Sequence, residues 1–263
     1  MCFALSLQIF SIVFHVRPVS VAQKTAGYVA GSLDFTPDLL RAIDFVDNSI
    51  GQVVAKLKEK NLYEDTLIFV ASKHGQAPID PKLFAEVDPD AVVNATKVDV
   101  LFQTVSSTRV LVRAKDLNAN LGIQADDIAL IFLKNHADTQ TAVNNLENAR
   151  VALKIDDIIF GHRLISEGFG NPLTDTAVPD IIVRPQLGVI YTTSKAKIAE
   201  HGGISNDDRH VACFVSNPKL KKTQFKNQVS TKQVAPTILA ALGLDVNALQ
   251  GAKIEGTKVL NGF

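Results

Sequence analysis

Residues 35–76 read FTPDLLRAIDFVDNSIGQVVAKLKEKNLYEDTLIFVASKHGQ and carry the strongest structural pattern of the chain. Thr36 can cap a helix, and Pro37 suits its first turn. Apolar residues then recur at helical spacing, which predicts one packed face: Leu39, Ile43, Val46, Ile50, Val53 and Leu57. The run TLIFVAS follows a short polar loop and is typical of a strand covered on both faces. A long helix, a short loop and a buried strand predict an α/β unit with a parallel sheet.

The middle of the chain departs from this pattern. VDVLFQTV, TRVLVRA and DIALIFL are strand-like runs, and NHADTQTAVNNLENARVAL has the periodicity of an amphipathic helix. We interpret residues 83–178 as an inserted, cap-like α+β subdomain over the sheet edge, because such insertions often close over active sites. The alternative is that this segment is simply more of one core.

The last third returns to the α/β pattern. PDIIVRP, GVIYTTS and HVACFVS predict strands, and STKQVAPTILAALGL predicts a helix. Ser230 or Thr231 can cap this helix, and Gly243 suits its C-terminal end. We therefore expect residues 1–263 to form a single α/β domain, with a mostly parallel sheet flanked by helices.

The composition argues against several kinds of partner and site. Lys plus Arg number 27 and Asp plus Glu also number 27, so the net charge is zero. A neutral chain gives no electrostatic reason to expect nucleic acid as a partner. Cys2 and Cys213 make neither a disulfide framework nor a zinc knuckle. The composition does not determine the oligomeric state.

The N-terminal run MCFALSLQIFSIVFHV is shorter than the roughly 20 apolar residues of a transmembrane helix. Ser20 and Ala22 suit a cleavage site, so residues 1–22 could act as the signal peptide of a secreted protein. No positive charge precedes the run. The alternative is a buried strand of a core whose upstream part is missing.

Two loops beside predicted strands carry the same His-Gly pair. His74 follows the strand TLIFVAS, and His201 precedes the strand HVACFVS. Ligands bind at the carboxyl ends of strands in open α/β sheets, and neutral imidazole is the commonest metal ligand. The two histidines could therefore converge on one zinc ion. For either histidine alone, the alternative is a structural or capping role.

Three segments of the chain occur in a characteristic order: LRAIDFVDNSIGQVVAKLKEKNLYEDTLIFVASKHGQ, AEHGGISNDDRHVACFVSNP and TKQVAPTILAALGL. Together they resemble the alkaline phosphatase superfamily, in particular its type I phosphodiesterase/nucleotide pyrophosphatase branch. The first is similar to the family's helix followed by TLIIVTSDHG. The second and third are similar to its late His-Gly loop and its terminal helix. The resemblance covers residues 19–82 and 179–260.

The resemblance implies a metal-dependent phosphodiesterase or phosphoester hydrolase that acts on a small phosphoester or nucleotide-like substrate. In this family two metal ions, usually zinc, clamp the ester while a serine or threonine attacks phosphorus and forms a covalent phospho-enzyme. By position, His74 matches the histidine of the family's Asp-His-Gly motif, and His201 matches its late metal-binding histidine. The implied cofactor is a divalent metal, with zinc the first choice.

The sequence departs from the family's pattern at three points. Lys73 stands where the family has an aspartate, and a charged ammonium cannot ligate zinc. The family's Asp-x-x-x-His pair before the long helix lacks its histidine, and Asp34 is the only acidic residue near. A first strand with the nucleophile is not recognisable. We therefore expect the C-terminal part of a longer protein, inactive or impaired as a truncated chain.

Lys73 itself has two interpretations. It is either a solvated lysine at a strand end or a phosphate-binding charge that replaces one metal, because lysine can hold phosphate as a point charge. The second interpretation predicts fewer than two zinc ions per chain. Two other functions remain open, namely a non-catalytic remnant that binds an anion or a protein partner, and sulfatase or phosphomutase chemistry.

Several further residues are weaker candidates. Asp207 and Asp208 could orient His201, and a solvated turn is the alternative. Arg163 or Arg184 could hold a substrate phosphate. The remaining candidates are expected in turns, in solvent or at the rim of the core: Asp80, His136, His162 and His210.

Overall fold

The structure is a computed structural model, and it describes residues 17–72, 74–100, 124–125, 127–192 and 198–263. Lys73, the N-terminal apolar run, most of VDVLFQTV and all of TRVLVRA lie outside these ranges. The helices of the described residues are α1 (Arg17–Ala26), α2 (Pro37–Glu59), α3 (Pro89–Thr96), α4 (Thr139–Asn148), α5 (His162–Ser166), α6 (Asn206–Arg209), α7 (Val234–Ala241) and α8 (Gln250–Glu255).

The strands are interspersed with these helices along the chain. They are β1 (Ile68–Ala71), β2 (Ala77–Pro78), β3 (Ala85–Val87), β4 (Gln124–Ala125), β5 (Ala129–Ile131), β6 (Ile155–Phe160), β7 (Ile181–Pro185), β8 (Val189–Tyr191), β9 (Ala199–Glu200) and β10 (Cys213–Ser216). The α/β class is therefore as the sequence predicts.

The long helix α2 begins at the predicted residue. The side chain of Thr36 accepts a 3.4 Å hydrogen bond from the Leu39 amide, which satisfies one unpaired donor of the first turn. Leu39 is 1% exposed and packs in a small cluster with Ala199. Of the other predicted apolar positions of α2, Ile43 is exposed, and the remaining four are half-buried: Val46, Ile50, Val53 and Leu57. The predicted packing face is thus buried mainly at its N-terminal end.

The direction of the strands differs from the expectation. Among the described strands, β1 pairs with β10, β2 pairs with β9, and β4-β5-β7-β6 form a four-stranded sheet, all antiparallel. The parallel pair in this part of the chain is β3 with β8. A mostly parallel sheet is therefore a prediction that the described strands do not support. An apolar run such as TLIFVAS suits either direction, and its direction depends on a partner far away in the chain.

The main hydrophobic core lies in the middle of the chain. Helices α3 and α4 pack on one face of the four-stranded sheet, where Leu146 and Val183 are fully buried. Leu164 of α5 packs on the opposite face, and Ile204 from the loop after His201 joins it there. Because β7 lies between β5 and β6, this sheet extends beyond the predicted 83–178 segment.

Two end regions complete the described structure. At the C-terminal end, Ser230 and Gln233 form a capping box, and Gly243 adopts a φ of 68° just after α7, as its position predicts. At the other end, Ser20 and Ala22 lie within α1. No helix among the described residues is both long enough and apolar enough to cross a membrane.

Candidate functional site

The structure brings His74 and His201 together. Their ring centroids lie 4.3 Å apart, with 31° between the ring planes. The register of the short β2–β9 pair explains this proximity, because Ala77 lies opposite Glu200 in an antiparallel arrangement. The loop before β2 and the loop after β9 therefore meet at the same end of the pair. The two His-Gly loops of the sequence therefore lie side by side.

His74 is held in a defined orientation. Its Nδ1 lies 2.7 Å from the Gly75 carbonyl oxygen, so this nitrogen donates the hydrogen bond. The Ser72 hydroxyl donates a 2.7 Å hydrogen bond to the carbonyl of His74. With the proton on Nδ1, Nε2 carries the lone pair that a metal would require.

The glycines after the two histidines allow the loops to pack tightly against α6. A Cβ at Gly75 would lie 1.8 Å from the Asp207 carbonyl oxygen, and one at Gly203 would lie 2.3 Å from Oδ2 of Asp208. Side-chain atoms do not approach this closely, so glycine is required at both positions. The glycines make room for the chain's own backbone and for a carboxylate.

Asp207 and Asp208 differ in their exposure to solvent. Asp208 is 4% exposed, and its Oδ2 accepts a 2.6 Å hydrogen bond from the Ser205 hydroxyl in a capping box at the start of α6. A solvated turn therefore does not describe Asp208. Asp207 is exposed. The pKa of the nearby Tyr28 hydroxyl is raised, mainly by burial. The hydrogen bond from Gln23 opposes this increase, and the negative charge of Asp207 adds to it.

An ion pair between a half-buried lysine and a buried glutamate borders the two histidines, and the sequence did not indicate it. Glu200 is 1% exposed, and its Oε1 lies 2.6 Å from Nζ of Lys24 on α1. The same oxygen accepts a 3.2 Å hydrogen bond from the His201 amide. An acidic residue directly before His201 in an otherwise apolar strand was an available signal for Glu200. No local pattern pointed to Lys24.

The two imidazoles are chemically suited to one divalent ion. A neutral imidazole nitrogen is a good zinc ligand, and one such nitrogen is available on His74. Within the described ranges, no group of three or more His, Cys, Asp or Glu residues is arranged to hold a metal. Two imidazoles are fewer than the three or four protein ligands of a usual zinc site, so the described residues by themselves do not complete one.

The arginine candidates are engaged with carboxylates. Arg163 donates to both oxygens of Asp157, at 2.9 and 2.8 Å, and to Glu167. Arg184 donates to Asp156 at 2.9 and 2.6 Å. Both guanidinium groups thus serve these ion pairs, and neither is shown near the two histidines.

The remaining candidates lie mostly where the sequence places them. Asp80 is a turn residue, because its Oδ1 accepts hydrogen bonds of 2.8 Å from the Lys82 amide and 2.9 Å from the Gly31 amide. These hydrogen bonds lower the pKa of Asp80. His162 and His210 are exposed. His136 is also largely exposed, yet its Nδ1 pairs with the buried carboxylate of Asp180, which the sequence did not indicate.

Several solved structures have a fold similar to that of this chain. The chain is similar to human ectonucleotide pyrophosphatase/phosphodiesterase 5, with a TM-score of 0.55 and 12% identity, over 87% of this chain and 52% of that chain. The murine protein gives a TM-score of 0.57 and 13% identity over the same shares. Its inactive variant in complex with AMP gives 0.56 and 13%, again over 87% and 52%. At these identities the likeness concerns the fold alone.

The chain thus spans about half the length of these similar structures. No curated protein matches the chain. A family model described as type I phosphodiesterase/nucleotide pyrophosphatase matches residues 22–212, which is well over half of the chain and includes both histidines. The chain therefore belongs to the type I phosphodiesterase/nucleotide pyrophosphatase family of the alkaline phosphatase superfamily.

Proposed function

We propose that this chain carries part of a phosphoester hydrolase site in which His74 and His201 bind one divalent cation, with zinc the first choice. The observation that supports the proposal is the 4.3 Å separation of the two imidazole rings, which come from distant loops. Family membership supports phosphoester chemistry. We propose no more than one cation, because the two histidines have no third clustered ligand among the described residues.

When bound, the cation supplies a Lewis acid that stabilises negative charge on the oxygens of a phosphate ester. The contribution of the chain is to hold the two imidazoles at a fixed separation. The hydrogen bond from Nδ1 to the Gly75 carbonyl orients His74. The packing of Gly75 and Gly203 against α6 holds the two loops together. Pre-positioned ligands lower the entropic cost of binding the ion and the ester.

The proposed substrate is a small phosphoester or a nucleotide-like molecule. A similar murine structure contains AMP, and Lys73 directly precedes His74 in the sequence. We assign Lys73 the role of a phosphate-binding charge, because lysine can hold a phosphate group as a point charge. Lys73→Met should weaken the binding of AMP about tenfold and leave the zinc stoichiometry unchanged. Equal AMP affinity in the variant would remove Lys73 from the site.

Zinc stoichiometry tests the cation site directly. Metal-free chain, dialysed against zinc and analysed for metal, should hold one ion rather than two. His74→Ala and His201→Ala should each weaken zinc binding by about tenfold or more, since each removes a ligand. His162→Ala, an exposed histidine of α5, is the matched control and should bind zinc as the parent chain does. Two bound ions would overturn the single-cation site.

The rival proposal is a non-catalytic protein that binds an anion or a protein partner. The lack of a third clustered ligand among the described residues favours it. A chromogenic phosphodiester, assayed with and without zinc on this chain and on an N-terminally extended form, separates the proposals. Activity in the extended form alone would support the proposal that this chain is impaired because it lacks the nucleophile. Neither activity nor bound zinc in either form would support the rival, and cleavage of a sulfate ester instead would indicate sulfatase chemistry.

A further inference from the structure

A basic segment with exposed apolar side chains lies between β10 and α7. Residues 218–229, called the lysine segment below, read PKLKKTQFKNQV and hold four lysines and no acidic residue. Every residue of this segment is exposed, and the segment contains no helix or strand. Because the chain as a whole is neutral, the excess of positive charge here is local.

Three lysines of the segment carry charges that the described part of the chain does not neutralise. Nζ of Lys219 lies 2.6 Å from Oδ1 of Asp65, so this charge is paired. Lys221, Lys222 and Lys226 form no ion pair with any residue that the structure describes. Three unpaired ammonium groups within six positions of the chain create a positive potential that attracts an anionic surface.

Large apolar side chains lie among these lysines. Phe225 is 51% exposed, and Leu220 and Val229 are also exposed. A Cβ at Gly262 would lie 3.2 Å from Cζ of Phe225, so the ring rests on the C-terminal end of the chain, where Phe263 is exposed as well. A single exposed apolar residue is ordinary, but a group of them bordered by polar residues indicates an interaction surface.

Both ends of the lysine segment are tied to regular structure. Before the segment, Nδ2 of Asn217 donates hydrogen bonds of 3.0 Å to the Glu64 carbonyl and 2.9 Å to the Thr66 carbonyl. After it, the Ser230 amide donates a 2.8 Å hydrogen bond to Oε1 of Gln233 in the capping box that precedes α7. Fixed ends keep the lysines and the apolar side chains close together, which lowers the ordering cost of binding.

We propose that the lysine segment binds the surface of an anionic lipid membrane. Lys221, Lys222 and Lys226 lie at the headgroups, where each lysine is attracted by the negative surface potential. Leu220 and Phe225 enter the boundary between headgroups and acyl chains, and the burial of their apolar surface adds to the attraction. The segment has no arginine, the residue best suited to nucleic acid, and this favours a lipid surface. The inference is independent of the cation site proposed above.

Sedimentation with vesicles tests the contribution of the lysines. The full chain should bind vesicles of phosphatidylcholine that contain about 30% phosphatidylserine, and it should not bind phosphatidylcholine alone. Lys221→Gln/Lys222→Gln/Lys226→Gln should lower the partition coefficient about 100-fold, since each lysine near such a surface contributes roughly fivefold. Raising the salt to about 0.5 M NaCl should release the parent chain, because exposed charges are screened.

A matched control removes the same amount of charge from another part of the chain. Lys82, Lys97 and Lys134 are exposed and lie outside the lysine segment. Lys82→Gln/Lys97→Gln/Lys134→Gln should bind the phosphatidylserine vesicles within about twofold of the parent chain, because charges distant from the contact are screened. Circular dichroism checks that both triple variants are folded.

Tryptophan fluorescence tests the contribution of the apolar side chains. The chain contains no tryptophan, so a single introduced indole reports on its own surroundings. The emission of Phe225→Trp should shift to shorter wavelength on addition of phosphatidylserine vesicles and should be quenched by brominated lipid, since the ring enters the acyl boundary. Phe45→Trp is the control, because Phe45 is an equally exposed phenylalanine on α2, and its emission should not change.

Each outcome either supports the lipid surface or overturns it. Equal binding by the parent chain and the variant without the three lysines would overturn it, and so would unchanged emission of Phe225→Trp. Binding to poly-L-glutamate or to a DNA duplex, without binding to phosphatidylserine vesicles, would show that the segment serves a different anionic partner. None of these measurements involves zinc, so their failure leaves the cation site unaffected.

Discussion

The backbone amide of Gly75 donates a 2.7 Å hydrogen bond to the carbonyl of Asp208. Gly75 directly follows one histidine of the site, and Asp208 lies on the short helix α6 that follows the other. This hydrogen bond and the missing Cβ of Gly75 allow the two loops to touch. The separation of the two imidazoles therefore depends on a backbone contact rather than on the histidines themselves.

Gly75→Ala should separate the two loops. Its Cβ would lie 1.8 Å from the Asp207 carbonyl oxygen, so the backbone must move. We expect a loss of about 2 kcal/mol in the free energy of unfolding, typical of overpacking, and a lower zinc affinity. Gly51→Ala is the control, because it lies in α2 with open space around it and should stabilise the chain by about 0.5–1 kcal/mol. Denaturant unfolding measures both, and an unchanged midpoint for Gly75→Ala would contradict the contact.

Leu39→Ala should release the N-terminal end of α2. Leu39 is 1% exposed, and truncation of a buried leucine costs about 2–5 kcal/mol through lost contacts and the cavity left behind. The adjacent Leu40 is 48% exposed, so Leu40→Ala should change the free energy of unfolding by no more than about 0.5 kcal/mol. Similar losses for the two variants, measured by denaturant unfolding, would show that α2 is not anchored through Leu39.

Tyr191→Phe should reduce the decrease in the free energy of unfolding that accompanies a rise in pH above about 10. Burial raises the pKa of the Tyr191 hydroxyl, whereas an unfolded tyrosine titrates near pH 10. The stabilisation from this group is therefore fully present below about pH 10 and is lost as the pH rises toward the raised pKa of the folded state. The hydroxyl also donates a 3.3 Å hydrogen bond to the Leu153 carbonyl, so at neutral pH the variant should lose about 1 kcal/mol. An identical slope above pH 10 in variant and parent would refute this prediction.

Asp157→Asn should destabilise the chain at neutral pH but not in acid. The hydrogen bonds from Arg163 lower the pKa of Asp157 below its ordinary value. Its stabilisation is therefore present above the unfolded pKa of about 3.9 and is lost as the pH falls through the lower folded pKa. We expect a neutral-pH loss of about 1 kcal/mol that disappears near pH 2. Asp156→Asn, at a more exposed carboxylate paired with Arg184, should have a smaller effect. A loss for Asp157→Asn that is independent of pH would point to packing instead.

The sequence by itself determined the local elements and singled out the two histidines that the fold brings together. The start of α2 at Pro37 follows from a capping residue and the first helical turn, which are local features. The strands TLIFVAS and PDIIVRP follow from short apolar runs. His74 and His201 became candidates because each stands beside a glycine at the end of a predicted element and matches a family motif. Patterns of this kind involve residues only a few positions apart.

The tertiary structure alone decided how these elements meet. TLIFVAS is equally apolar in a parallel and an antiparallel sheet, so its antiparallel pairing with β10 depended on a distant partner. Lys24, which is half-buried, forms an ion pair with the buried Glu200 although the two are far apart in the sequence, and neither residue carries a local pattern that predicts the other. Gly75 is required because α6 packs against it. Burial and long-range pairing arise only when the chain folds back on itself, which is why they could not be predicted from neighbouring residues.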